Sequence, residues 1–356
     1  MNAARDRANA FCSQFNLRVP ILLGPMSGAC PPSLSIAVAN AGGLGACGAL
    51  LMQPNEIIAW TNEVRSSTKG VFQINLWIPD LPPKRDPEHE ARVRNFLANW
   101  GPTVPLEAGD PTLPNFASQC EALLTAAPPI VSSVMGIYPP EFVAKLKAHR
   151  IAWFANISTV AEARAAEAAG ADVIVAQGSE AGGHRYIFNA ADAEAKLVGL
   201  FSLIPAVVDA VKIPVVAAGG IADARGVAAA LILGASAAQI GTGFLRCPES
   251  KINSTWANTL AQTAPENTML TRAFSGRAGR SIATDYTRAA AAEGAPSNAP
   301  DPVQRGLTFA MRSAAEKAGD VQRMQMWAGQ SAALAKAEPA GEVVRQLWEG
   351  VQKLLG

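Results

Sequence analysis

Short apolar runs alternate with amphipathic stretches through the first 250 residues of the chain. Residues 19–24 read as a first strand, followed by the loop Pro25-Met26-Ser27-Gly28 and a helix over about 33–41. Gly42-Gly43 turns the chain into a short second strand near 44–46. Pro54, suited to a first helical position, opens a helix through about Val64, and 71–76 is a third strand. Further strands are expected at 130–133, 151–155, 172–176, 213–218 and 237–240. Helices fall between them. One covers 140–148, one starts at the capping-box pair Thr159 and Glu162 and stops at Gly170, one is opened by Pro205, and one is capped by Asp223 and ended by Gly234. Eight strands alternating with helices predict a (β/α)8 TIM barrel and not an open doubly wound sheet, because a barrel closes at eight.

The rhythm breaks over 78–127, where prolines at 79, 82, 83, 87, 102, 105, 111 and 114 flank a single expected helix, 88–100. This reads as an insertion on the barrel surface. Beyond about residue 250 the pattern becomes helical and more polar, with candidate helices at 251–263, 302–318, 321–335 and 342–355. The expected organisation is a barrel over 1–250 and a mostly helical lid or substrate region over 251–356, its end packing back on the barrel.

Charge narrows the choice of partner. Lys plus Arg total 30 against 29 Asp plus Glu with no basic block, so nucleic acid and anionic membranes are not indicated and a small ligand is expected. The two long uncharged stretches, 19–55 and 226–245, are broken by prolines or by a Gly234 stop, which argues for buried barrel elements over membrane spans. Residues 1–16 lack the apolar core of a signal peptide, and five scattered cysteines (Cys12, Cys30, Cys47, Cys120, Cys247) have no metal spacing. A cytoplasmic protein with reduced, packed thiols and no bound metal is the expectation. Cys30 and Cys47 lie nearest the presumed active face. His89, in a charged helix, and His149, at a helix end, have sufficient structural explanations.

The chemistry concentrates in the loop after the sixth strand, Gln177-Gly178-Ser179-Glu180-Ala181-Gly182-Gly183-His184. Loops at the carboxyl ends of barrel strands carry active sites, and the glycines let backbone approach a ligand beside His184. A locally hydrogen-bonded loop histidine is the alternative. After the seventh and eighth strands, Gly219-Gly220 and Gly241-Thr242-Gly243 are placed to bind a phosphate on backbone N–H groups. No Walker or Rossmann glycine motif follows a strand. Three amides, Asn75, Gln177 and Gln239, point toward the barrel mouth, where groups that both donate and accept suit a flavin edge or a sugar-phosphate chain. Carboxylates are scarce at strand ends, against a metal hydrolase or a two-carboxylate glycosidase.

These segments, with Gly24-Pro25-Met26-Ser27-Gly28, Asn40-Ala41-Gly42-Gly43-Leu44-Gly45, Ala217-Ala218-Gly219-Gly220-Ile221, Phe274-Ser275-Gly276-Arg277 and Trp327-Ala328-Gly329-Gln330, resemble the nitronate monooxygenases, formerly called 2-nitropropane dioxygenases. The resemblance runs from Pro20 to about Ala335. It implies noncovalent FMN contacted by Met26, Asn75, Gln177, Gly182, Gly220, Gln239, Ile240, Gly241 and Thr242. It also implies an active-site role for His184 in oxidising alkyl nitronates with O2 to carbonyl compound and nitrite. Tyr186, where the family often has glycine, and Ala278-Gly279, where proline-alanine is usual, depart from the pattern near the substrate path. NAD(P)H-dependent FMN reductases of the enoyl-acyl-carrier-protein or quinone type resemble the same loop. A non-catalytic FMN or phosphate-binding barrel is a further alternative.

Overall fold

The computed structural model describes residues 2–356. Eight parallel strands form an inner ring: β1 (Ile21–Leu23), β2 (Gly45–Gly48), β3 (Phe72–Trp77), β4 (Ile130–Val134), β5 (Ala152–Ile157), β6 (Val173–Gln177), β8 (Val215–Ala218) and β9 (Ala237–Ile240). The remaining strands, β7 (Gly183–His184), β10 (Thr268–Thr271) and β11 (Gly279–Ile282), make a separate antiparallel sheet in the order β10-β11-β7. The ring closes between β1 and β2 through the Leu22–Leu44 bridge, where Leu44 N donates to Ile21 O at 3.0 Å and Leu23 N to Leu44 O at 2.8 Å. Its strands are buried on both faces, which is why they read as unbroken apolar runs.

Helices alternate with the strands: α1 (Asn2–Gln14), α2 (Pro32–Asn40), α3 (Pro54–Ser67), α4 (Pro87–Leu97), α5 (Phe116–Ala126), α6 (Pro140–Ala148), α7 (Val160–Ala168), α8 (Leu200–Val208) and α9 (Ala224–Ile232). After them come α10 (Ser254–Ala261), α11 (Asp285–Ala289), α12 (Val303–Leu307), α13 (Phe309–Ala318) and α14 (Ala340–Leu355). The expected caps are in place: Thr159 and Glu162 form the reciprocal box on α7, and Asp223 accepts from Gly226 N at the start of α9. The outer ring is α2, α3, α5, α6, α7, α8, α9 and α14, the last lying between α9 and α2. At the amino ends of the strands α1 acts as a stopper. Its Phe11, with Phe15 just beyond it, meets Phe154 inside the barrel, the ring centroids lying 4.9–6.3 Å apart.

Four expectations need correction. The insertion ends sooner than residue 127, because α5 packs on α3 as the barrel helix between β3 and β4. Pro205 lies inside α8 instead of opening it: Gly199 is the N-cap, and Glu180 takes the first free N–H, that of Leu200, at 2.8 Å. The stretch 321–335 is not a helix. It runs irregularly, with a short 3-10 turn at Ala332–Leu334, because its backbone is used to close over the site, Gly329 N donating to Thr242 Oγ1 and Gln330 N to Glu180 O. The lid is therefore part sheet, part helix, with β10 and β11 forming a hairpin that extends to β7. Among the described residues no helix is long and apolar enough to cross a membrane.

Candidate active site

Gln177, the last residue of β6, organises the loop that follows it. Its Nε2 donates to His184 O at 2.9 Å, and its Oε1 accepts from Tyr186 N and Arg185 Nη1, each at 2.9 Å. Arg185 is almost wholly buried and its Nη1 also donates to Gly178 O at 2.7 Å, so one guanidinium ties both ends of the loop together. Burial, helped by the neighbouring Arg280, pushes its pKa down to about 10. Gly183 supplies the positive φ of +75° at which the chain turns into β7, whose His184 pairs with Gly279 of β11. The bond from Leu200 N to Glu180 makes that carboxylate a helix cap and leaves it outside the chemistry.

This loop delivers the His184 ring between two indoles. Trp77 meets it edge-on at 4.8 Å and 80°, Trp327 lies at 4.7 Å and 55°, and Nε2 sits 2.7 Å from Ser275 Oγ. Burial among these rings, together with the positive charges of Arg305, Arg277 and Arg312, holds the imidazole well below its ordinary pKa. It is therefore neutral at neutral pH. The guanidinium of Arg305 lies 5.6 Å from the Trp77 ring centroid and pairs with Asp301 at 3.1 Å. Arg312 donates to Gln325 Oε1 at 2.9 Å and to Arg305 O at 2.8 Å, and burial lowers its pKa to about 10. Positive charge from Arg305, Arg277 and Arg312 thus bears on His184, partly offset by Asp301 on Arg305 and by Glu316 in the cavity lining.

His184 lines one cavity of about 440 Å³ over the carboxyl ends of the strands. Gly219 and Gly220, with φ of +111° and +64°, form part of its wall, as do Gly241 and Thr242. Among the described residues no protein acceptor meets the backbone N–H of Gly220 or Gly241. Met26, Asn75, Gln177, Gly182 and Gln239 line the same space. Asn75 Nδ2 donates to Ser132 Oγ at 3.0 Å, and Gln239 Oε1 accepts from Gln73 Nε2 at 3.2 Å, which leaves the other end of each amide for a ligand. Ile240 is the exception. On β9 successive side chains alternate, so Gln239 turns into the barrel and Ile240 into the helix-facing core, away from the cavity. Cys30 and Cys47 are buried, and burial raises the Cys30 thiol to about 12 and Cys47 well above its usual value, which leaves both as packed thiols.

Tyr186, expected near the substrate path, lines the cavity, and so do four residues that the motifs do not point to: Trp77, Arg305, Phe309 and Arg312. Their spacing held a signal. Arg305, Phe309 and Arg312 recur at helical intervals, and two arginines seven residues apart on one face invite the question of what anion they meet. Trp77 gave no such signal, since an aromatic at a strand end reads as core.

Fold and site together define a (β/α)8-barrel enzyme with an uncharged histidine, close to arginines, in a cavity at the carboxyl ends of its strands. The nitronate monooxygenase family profile matches residues 9–350, and the chain belongs to that family of oxidoreductases. It is 38% identical to a nitronate monooxygenase of Paraburkholderia phytofirmans over 334 residues, which is 92% of this chain and 91% of the relative. A protein of Staphylococcus aureus named as a probable nitronate monooxygenase is 32% identical over 354 residues, 98% of each chain. The solved structure of nitroalkane oxidase from Streptomyces ansochromogenes superposes with a TM-score of 0.86 at 34% identity, covering 97% of this chain and 100% of that one. FabK from Thermotoga maritima is more distant, with a TM-score of 0.72 at 26% identity over 97% and 96% of the two chains.

Proposed function

We propose that the protein holds FMN noncovalently in this cavity and oxidises alkyl nitronates, and neutral nitroalkanes after removal of a proton, with O2 to a carbonyl compound and nitrite. The observation that carries the reading is that one cavity is lined both by Gly220 and Gly241, whose N–H groups meet no protein acceptor among the described residues, and by a neutral, tryptophan-flanked imidazole close to arginines. The residues fit the cofactor. Gly220 and Gly241, with the hydroxyl-bearing Thr242, suit a single phosphate, and a Cβ on Gly220 would stand 3.1 Å from Glu180 Cβ at a strained φ. Asn75 and Gln239 offer free amide edges to a ring system. Bound FMN would supply the electron acceptance and the handling of O2.

The chain's own residues account for the rest. The positive charge of Arg305 and Arg312 draws in an anion such as a nitronate and favours negative charge developing on nitro oxygens. His184, held neutral by its surroundings, is able to take a proton from the carbon of a neutral nitroalkane. Trp77 and Trp327 pack against the ring and confine its orientation.

The test is to purify the protein under mild conditions and mix it in turn with propionate 3-nitronate, a neutral nitroalkane, NADH and NADPH, following the flavin spectrum and O2. Release of FMN on denaturation and nitronate-dependent O2 uptake are expected. A protein that carries no FMN and takes none up would refute the cofactor assignment. Flavin bleached by NADH or NADPH, with no turnover of nitronate, would mark a reductase instead.

A further inference from the structure

We propose that Ser275 sets the tautomer of His184, so that the imidazole donates its Nε2–H to the serine and presents an unprotonated Nδ1 to the cavity. The assignment follows from counting protons around one buried hydroxyl. Ser275 Oγ has three polar neighbours: His184 Nε2 at 2.7 Å, Arg277 O at 3.2 Å and Arg277 N at 3.3 Å. The Arg277 N–H only donates and its carbonyl only accepts. If the serine proton goes to the carbonyl, one lone pair receives Arg277 N–H and the other receives Nε2–H, and all three contacts are satisfied. If instead the serine donates to Nε2, Arg277 O loses its donor, since nothing else among the described residues reaches it. Buried carbonyls are seldom left without a partner, and the first arrangement prevails. The ring has little freedom to escape this choice, lying between Trp77 and Trp327 while its backbone pairs with Gly279. Ser275 sits in the connection between β10 and β11, and β11 pairs with β7, so one small sheet holds both members of the hydrogen bond in register.

Among the described residues Nδ1 has no hydrogen-bond partner, the ring's one bond being that of Nε2, and His184 lines the cavity. Resting on the proposed nitroalkane chemistry, this geometry makes Nδ1 the atom that takes the proton. The C–H bond at the nitro-bearing carbon breaks, its electron pair passes onto the nitro group to give the nitronate, and its proton forms a new N–H bond at Nδ1. Nε2–H remains on Ser275 throughout. Arg305, Arg277 and Arg312 disfavour the imidazolium so formed, and the nitronate beside it offsets their charge. Ser275 is thereby a positioning residue.

Only three histidines occur in the chain, which makes the tautomer directly measurable. In FMN-loaded protein labelled with 15N at the imidazole nitrogens, two-bond 1H–15N correlation should show His184, identified by its loss in His184→Asn, with a pyrrole-like Nε2 and a pyridine-like Nδ1. In Ser275→Ala the pattern should become a mixture of tautomers. Turnover of a neutral nitroalkane should then fall about tenfold or more in kcat, with KM moving less and a smaller loss on the preformed nitronate. Ser275→Thr, which keeps the hydroxyl, should restore the wild-type pattern. A protonated Nδ1 in the wild type, or an unchanged Nε2–H pattern in Ser275→Ala, would overturn the proposal. The wild-type spectrum decides the tautomer even if Ser275→Ala does not fold. Since that readout needs no turnover, an Nε2–H tautomer in a protein that oxidises neither substrate form would count against the functional reading alone.

Discussion

The base role proposed for His184 needs a neutral imidazole, and its surroundings supply one. An imidazole in water is half protonated near pH 6.5, but here burial and three arginines disfavour the charged form. Two outcomes follow. The acid limb of kcat/KM for a neutral nitroalkane should lie well below 6.5, and His184→Asn should lower that rate by about a hundred- to ten-thousand-fold while FMN content and melting temperature stay near wild type. A variant that turned over both substrate forms at the wild-type rate would reduce His184 to a loop residue. The sign for stability is equally definite. The folded-state pKa is depressed, so below pH 6.5 the unfolded chain binds a proton that the folded chain refuses, and stability is lost as pH falls from about 6.5 toward the folded value. His184→Asn should flatten that part of a stability-against-pH curve measured by denaturant titration. Gly220 is the second decisive residue. Its φ of +64° and the nearby Glu180 Cβ make Gly220→Val strained by about 1–3 kcal/mol, at the part of the cavity wall proposed to hold the FMN phosphate. FMN affinity should drop by about tenfold or more, or roughly 1.4 kcal/mol, in equilibrium titration; unchanged affinity in a folded variant would make the turn purely structural. That both residues line the cavity was legible in the sequence, because a glycine pair after a strand and a histidine in a strand-end loop are discrete signals. Trp77 and Ser275 were not, since their roles depend on rings and hydroxyls brought together from β3, β7 and the β10–β11 connection.

At the scale of elements, the segment from Gln177 to Tyr186 works as one unit. The motif suggested glycines approaching a ligand, and Gly182 and Gly183 do border the cavity. Much of its polar sequence, however, serves the loop itself. Glu180 caps α8, the Gln177 amide is used at both ends by the loop, and Arg185 ties Gln177 to Gly178. A linear reading cannot separate such internal bonds from ligand contacts, because both demand polar residues at strand ends. The same blindness explains 321–335, whose composition suits a helix. Its real task is to lay backbone against Gly182, where an added Cβ would stand 2.6 Å from the Ala328 carbonyl carbon. Arg185→Leu should therefore act through the loop as a whole. Removing the guanidinium takes one donor each from Gly178 O and Gln177 Oε1, which keep Ala181 N and Tyr186 N respectively, at a cost of about 1–3 kcal/mol. Arg185→Lys should recover part of it, since the bonds all come from Nη1 and an ammonium can supply a comparable donor, though on a shorter and differently shaped side chain. Limited proteolysis read by mass spectrometry should find faster cleavage between residues 178 and 199 in Arg185→Leu, with His184-dependent turnover falling in step. Protection equal to wild type would show that β7–β11 pairing alone holds the loop.

For the molecule as a whole, eight strands were readable because each is an apolar run bounded by glycine or a cap, and those signals are local. What closes the barrel is not local. The helix after β9 arrives only at α14, nearly a hundred residues later, after the chain has built the small sheet and the helices over the cavity. Its amphipathic pattern was evident, but its place between α9 and α2 depends on surfaces contributed by distant segments. This arrangement separates stability from chemistry. Val343, Val344, Leu347, Val351 and Leu355 of α14 are buried in the main core, yet no residue from 340 to 356 lines the cavity. Truncating Leu347, which is 5% exposed, to alanine should cost about 2–5 kcal/mol through lost transfer energy and the void left behind. The melting temperature should fall accordingly, by at least several degrees on the scale of about 2–4 °C per kcal/mol for domains of 150–250 residues. FMN affinity measured at a temperature where the variant is still folded should remain within about twofold of wild type, a difference of roughly 0.4 kcal/mol. Saturating FMN should raise both melting temperatures, since a ligand at a hundred times its Kd adds about 2.7 kcal/mol to any fold that binds it. If folded Leu347→Ala instead lost FMN affinity tenfold, the closing helix would be coupled to the glycine turns after β8 and β9, and the division between scaffold and site would be wrong.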